Sequence, residues 1–143
     1  MMKIAPSMLS SDFARMGEET RRMDQAGADL IHLDVMDGSF VPNLTFGAPV
    51  IAAIRPYTAV PFDVHLMILR PQQYIADFAK AGADSITFHL ESEGDPAETI
   101  RLIREAGCRP AAALKPGTPA EAVFPYLAEL SMVLVMTVEP GFG

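Results

Sequence analysis

Ala26-Gly27-Ala28-Asp29 runs into Leu30-Ile31-His32-Leu33-Asp34, and fifty-five positions later Ala81-Gly82-Ala83-Asp84 runs into Ser85-Ile86-Thr87-Phe88-His89. Ala106-Gly107-Cys108 leads in the same way into the stretch from Arg109 to Leu114. In each copy a helical pattern stops at a glycine, where a positive φ costs little, and a β-branched or apolar run follows. Three copies of one helix–Gly–strand join describe a repeated βα unit rather than three unrelated caps.

Working outward from these joins, period-two alternation predicts strands near Lys3–Met8, Leu30–Val35, Phe62–Met67, Ser85–His89, Ala111–Leu114 and Met132–Val138. Helical spacing predicts Phe13–Gln25 with Ser11 or Asp12 as N-cap, Ala48–Ile54, Pro71–Lys80, Asp95–Glu105 and Pro119–Leu127, the last interrupted by Pro125. Six strands alternating with helices imply a parallel sheet, because parallel neighbours need a crossover. A doubly wound nucleotide binder should carry a Gly-rich turn after its first strand, whereas Leu9-Ser10-Ser11-Asp12 has no glycine. Polar residues instead recur at the ends of several strands, as in a (β/α)8 barrel of the TIM type. A complete barrel usually needs at least about 200 residues. The 143 residues are therefore expected to form a single barrel domain truncated after strand six, with the last two βα units missing.

The densest chemistry lies in Ile31-His32-Leu33-Asp34-Val35-Met36-Asp37-Gly38. Along a strand, side chains two apart share a face, so His32, Asp34 and Met36 point one way. Asp63, His65 and Met67 share a face on the next strand in the same manner. Adjacent parallel strands in register would bring His32, Asp34 and His65 together. Two imidazoles and a carboxylate suit a divalent transition metal. A lone histidine is more often a hydrogen-bonded core residue, but two such strands, each ending in Met, are harder to explain as core, since burying unpartnered polar groups costs roughly 2–7 kcal/mol. His89, with Thr87 on its face, reads either as support behind the ligands or as core. Met36, Met67 and Met136 each fall at or near a strand end, and read either as packing or as an apolar floor beneath a reacting carbon. Thr137-Val138-Glu139-Pro140-Gly141-Phe142-Gly143 reads either as an ordinary turn or as a loop whose backbone N–H groups approach an anion.

Composition narrows the classes. Half of the chain is apolar, and 11 Lys+Arg against 18 Asp+Glu give a net charge of −7 with no basic run, which argues against nucleic acid as a partner. The single cysteine, Cys108, cannot close an intrachain disulfide and fits a reducing, cytoplasmic setting. The opening Met1-Met2-Lys3-Ile4-Ala5-Pro6 has no signal-peptide core, and the apolar run Met132–Met136 is far short of a membrane span, so no membrane partner is expected.

The run from Ile31 to Gly47, HLDVMDGSFVPNLTFG after Ile31, closely resembles the signature of the ribulose-phosphate 3-epimerase family. Ile4-Ala5-Pro6-Ser7-Met8-Leu9-Ser10, Asp63-Val64-His65-Leu66-Met67 and Val135-Met136-Thr137-Val138-Glu139-Pro140-Gly141-Phe142-Gly143 resemble it as well, in the family's order. The resemblance implies a metal-dependent isomerase of the pentose phosphate pathway, interconverting D-ribulose 5-phosphate and D-xylulose 5-phosphate through proton abstraction at C3 and an enediolate. It implies His32, Asp34 and His65 as ligands of one divalent ion (Zn, Fe, Mn or Co), with Asp34 doubling as acid/base. It further implies Ser7 and His65 as substrate contacts, and Met36, Met67 and Met136 as the lining of the reactive centre. Gly141, Phe142 and Gly143 would begin the phosphate loop. The sugar phosphate would be the small-molecule partner, and the family forms homo-oligomers. The family's fourth ligand and second acid/base, an Asp on strand seven, has no counterpart in these residues. Two other readings remain open: an epimerase of a six-carbon ketose phosphate such as allulose 6-phosphate, and a non-catalytic piece of the barrel.

Overall fold

The structure, a computed structural model, describes residues 1–142. Among them five strands form one sheet in the order β1 (Ile31–Met36), β2 (Phe62–Met67), β3 (Ser85–His89), β4 (Arg109–Leu114) and β5 (Met132–Val135). Every neighbouring pair is parallel. The crossovers carry α2 (Ala48–Ile54), α3 (Ile75–Ala81) and α4 (Pro96–Glu105), while α1 (Met16–Gln25) precedes β1. The three joins do adopt one geometry, with Gly27, Gly82 and Gly107 all at positive φ.

The aspartate in the first two joins has a further task that alternation alone does not reveal. Asp84 Oδ2 accepts the N–H of Phe62, the first residue of β2, at 2.8 Å. Asp29 Oδ2 accepts the N–H of Ile4 at the same distance. Each carboxylate thus ties the start of its own strand to the segment preceding it in the sheet, satisfying a donor that the ladder leaves over.

One expected strand is not a strand. Lys3–Met8 lies beside β1, with the Ile4 and Pro6 carbonyls accepting from Asp29 and His32, yet only Ser7 forms a bridge, to His32. Pro6 has no N–H to return to a ladder, and Ser7 turns the chain by capping the 3-10 helix Met8–Ser10. Pro119–Leu127 also departs from expectation. It is a 3-10 helix, Ala120–Glu129, because Pro125 removes a donor and crowds the carbonyl one turn back. Phe13–Gln25 and Pro71–Lys80 each open as a 3-10 turn before becoming α-helical, and Asp12, not Ser11, caps the first through Ala14 N–H. The last strand ends at Val135 rather than Val138.

Alternation divides the sheet's two faces by chemistry. Ile31, Leu33, Val35, Phe62, Val64, Leu66, Ile86 and Phe88 form the apolar core with Ile51 and Ile54 of α2, Phe78 of α3, and Ile100 and Ile103 of α4. Full burial of each such side chain contributes about 1.5–3 kcal/mol. The opposite face carries His32, Asp34, Asp63, His65, Ser85, Thr87 and His89. All but His32 are buried, and His32 nearly so. A strand as completely buried as β2, with Asp63 2% and His65 1% exposed, must pair every polar group it carries.

Candidate metal centre

Register places His32 opposite Asp63 and Asp34 opposite His65 on the β1–β2 ladder. The imidazole of His32 spans two carboxylates: Nδ1 lies 2.8 Å from Asp63 Oδ2, and Nε2 lies 3.2 Å from Asp34 Oδ1. His65 Nδ1 approaches the same Asp34 oxygen at 3.0 Å. The remaining Asp34 oxygen accepts from the Ser7 hydroxyl. One ligand atom each from His32, Asp34 and His65 lies within 4.8 Å of the others.

The electrostatics follow from crowding in a dry setting. Burial works against a charge on His32, but its hydrogen bonds to Asp34 and Asp63 prevail and raise its pKa to about 10. Burial likewise opposes ionisation of Asp34, and the bonds from His32 and His65 overcome it, holding the carboxyl well below the usual range. Asp63 is lowered in the same way, burial being outweighed by His32, Thr87 and Ser85. His65, wholly buried, is pushed down by burial against the pull of Asp34. Two soft-to-borderline nitrogens and one ionised oxygen on rigid strands fit a divalent transition ion.

The loop after β1 is folded back over this cluster. Thr45 Oγ1 donates to the Asp34 carbonyl at 2.6 Å and accepts the Met36 N–H at 3.1 Å. Asp37 accepts the N–H groups of Ser39 and Phe40 at 2.8 Å, and that of Leu69 at 2.7 Å, which joins this loop to the one after β2. Met36 and Met67 pack together with Val41 against Leu9 and Phe40. Met136 is half-buried beyond β5 and stands outside that cluster. Gly141, at positive φ, abuts Val41 of the β1 loop, while Phe142 is exposed. Gly143 lies outside the described residues.

The sequence leaves the partners of Asp63 and Glu91 open and reads His89 either as support behind the ligands or as core. Asp63, seen only as a residue on the right face, holds the far nitrogen of His32 and is itself held by Ser85 Oγ at 3.0 Å and Thr87 Oγ1 at 2.9 Å. His89 meets His65, Nε2 to Nε2, at 2.8 Å. Glu91, just past β3, accepts from His89 Nδ1 at 3.0 Å. Alternation puts Asp63 on the site's face and Thr87 on the face of His89; the pairing itself is long-range.

With this geometry in hand, comparison with known proteins decides the family. The profile of the ribulose-phosphate 3 epimerase family matches residues 3–143. The chain belongs to the ribulose-phosphate 3-epimerase family. Among its relatives, the cytoplasmic isoform of ribulose-phosphate 3-epimerase from Oryza sativa subsp. japonica is 55% identical over 145 residues, covering 99% of this chain and 64% of the relative. Ribulose-phosphate 3-epimerase from Bacillus subtilis (strain 168) is 50% identical over 143 residues, covering 100% of this chain and 66% of the relative. The chain thus spans about two-thirds of the length of these family members. Among solved structures, a mutant tryptophan synthase alpha-subunit from Pyrococcus furiosus superposes with a TM-score of 0.67 at 14% identity, over 93% of this chain and 64% of that one. That likeness concerns the fold alone and agrees with a partial (β/α)8 barrel. No helix among the described residues is long and apolar enough to cross a membrane.

Proposed function

We propose that this chain supplies the N-terminal part of the barrel, including the metal-binding half, of a 3-epimerase that interconverts D-ribulose 5-phosphate and D-xylulose 5-phosphate. The observation that carries the reading is the convergence of His32, Asp34 and His65 within 4.8 Å in a chain of this family. The names of the rice, Bacillus and Synechocystis relatives, each a ribulose-phosphate 3-epimerase, support the substrate.

Inverting C3 beside a C2 ketone requires a base on one face and an acid on the other. Asp34 suits one of these roles, because hydrogen bonds from His32, His65 and Ser7 fix its orientation and keep it ionised at neutral pH. Its oxygens are held on rigid strand backbone, which favours a reproducible approach to a carbon-bound proton. A divalent ion held by His32, Asp34 and His65 would supply charge stabilisation at the substrate's oxygens as the enediolate forms. Zn²⁺, Fe²⁺, Mn²⁺ and Co²⁺ all suit this donor set. Met36 and Met67, packed with Val41 against Leu9 and Phe40, would keep water from the floor beside Asp34. Ser7 and His65 would touch the sugar, and Met136 would complete the apolar lining. Gly141, Phe142 and Gly143 would open the phosphate loop. The second acid/base belongs, on this reading, to the part of the barrel that relatives carry beyond their match to this chain. The same reading includes assembly into homo-oligomers, checked by light scattering, and a cytoplasmic setting, supported by the name of the rice relative.

The deciding experiment is Asp34→Asn in the full-length protein. Turnover of ribulose 5-phosphate should fall by about a thousandfold or more, and exchange of solvent deuterium into C3 should fall with it. Near-normal turnover would refute the role of Asp34. Faster turnover of allulose 6-phosphate by the unaltered protein would move the assignment to the six-carbon substrate.

A further inference from the structure

The two ring nitrogens of His65 face different neighbours. Nδ1 lies 3.0 Å from Asp34 Oδ1, on the side where His32 also converges. Nε2 lies 2.8 Å from His89 Nε2, with the two rings stacked at 5.0 Å and 25°. A contact of that length between ring nitrogens holds one proton, since two lone pairs or two N–H groups would repel. Beyond it, His89 Nδ1 meets Glu91 Oε1 at 3.0 Å, and the same oxygen accepts the Lys115 N–H at 3.1 Å. Burial opposes the Glu91 charge, but bonds from His89 and Lys115 overcome it and keep this carboxyl below its usual range. An ionised carboxylate only accepts, so His89 Nδ1 donates to it. A cation held at His65 Nδ1 leaves that ring's proton on Nε2, where His89 Nε2 is the acceptor in reach and His89 Nδ1 faces Glu91 in turn. Asp34 alone would draw the proton to Nδ1 and spoil the ligand.

We propose that His89 and Glu91 are positioning residues that fix His65 as the Nε2–H tautomer and so present its Nδ1 to the metal. The inference rests on the metal-centre reading of His32, Asp34 and His65. It extends to His65 a pattern in which a ligating imidazole passes its other N–H to a carboxylate, here through a second imidazole. Asp63 serves His32 directly at 2.8 Å, so the two ligand histidines are oriented by different means.

The test uses the full-length protein, stripped of metal and titrated with Zn²⁺ against a chromophoric chelator, in the unaltered form and as His32→Asn, His89→Leu and His89→Gln. His89→Leu should weaken zinc binding by about 10–100-fold. His89→Gln, whose amide oxygen can still accept from His65 Nε2–H, should recover most of that loss. In the zinc-loaded unaltered protein, ¹⁵N NMR should show His65 protonated at Nε2, with a scalar coupling across the N–H···N bond to His89. The proposal is overturned by zinc binding in His89→Leu within about twofold of the unaltered protein while His32→Asn loses it. A His89→Gln variant as weak as His89→Leu, or a proton on His65 Nδ1, overturns it equally. The NMR result decides even should His89→Leu fail to fold. Absence of zinc binding by the unaltered protein would instead sink the metal-centre reading itself, and this inference with it.

Discussion

At the start of β2 the Arg55 guanidinium donates to the carbonyls of Thr58 and Val60 at 2.7 Å and of Gly82 at 3.3 Å, and it pairs with Asp84 at 3.2 Å. Its Cζ sits 3.6 Å from the Phe62 ring centroid. Further along the same ladder, Asp34 gathers Ser7, His32 and His65. Both clusters are dense in polar contacts, yet they differ in what they leave over. Arg55 spends its donors on loop carbonyls and closes the N-terminal ends of β2 and β3. Around Asp34, two ring nitrogens converge on one carboxylate oxygen, an arrangement whose donor atoms could also surround a cation. The lesson is that polarity does not mark a site; convergence of lone pairs does. In β/α barrels the N-terminal ends of the strands carry stability, and the Arg55 cluster closes that end of β2 and β3, whereas Asp34 and His65 lie further along their strands.

The sharpest way to break the contrast is His65→Ala, which should reduce bound metal from stoichiometric to near zero by elemental analysis. Retained metal would mean that the cluster is merely structural. Arg55→Ala should do the converse, lowering stability by roughly 2–4 kcal/mol in chemical denaturation while leaving zinc affinity unchanged. A fall in zinc affinity there would erase the division of labour. Smaller in effect, Asp63→Asn should weaken metal binding by about tenfold to a hundredfold, because His32 loses its ionised partner. An unchanged dissociation constant would show that register alone orients His32.

The last difference is one of pH. In the metal-free protein His32 is raised from 6.5 to about 10, so its contribution to stability is complete below pH 6.5 and is lost as pH climbs to about 10. Asp34 is lowered, so its contribution is present above its ordinary pKa and is lost in acid. Metal must displace the His32 proton. Zinc affinity should therefore rise about tenfold per pH unit between pH 7 and 9, with about one proton released from His32, as calorimetry in buffers of different ionisation enthalpy would report. The Arg55 cluster should show no such dependence on metal.

The repeated joins, the bounds of β2 and β3 and the shared side of His32, Asp34 and His65 were legible in the chain because each is a local matter of period and punctuation. Two strands of alternating residues in parallel register allow few placements for such side chains, so the cluster could be anticipated before any coordinate. The failures are equally physical. Lys3–Met8 looks like a strand by composition, but a proline without a donor and a serine that caps a turn reduce it to one bridge. Pro125 forced tight 3-10 winding on a segment with an α-helical pattern.

Periodicity and turn residues thus settle which faces exist and what lies on each, since they act over a few residues. Which group on a face meets which depends on contacts spanning twenty or thirty positions. His32 with Asp63, His65 with His89, and Arg55 with the Gly82 carbonyl are of that kind. No local preference encodes such pairs; they form because folding dries the sheet and each buried polar atom must take a partner within reach.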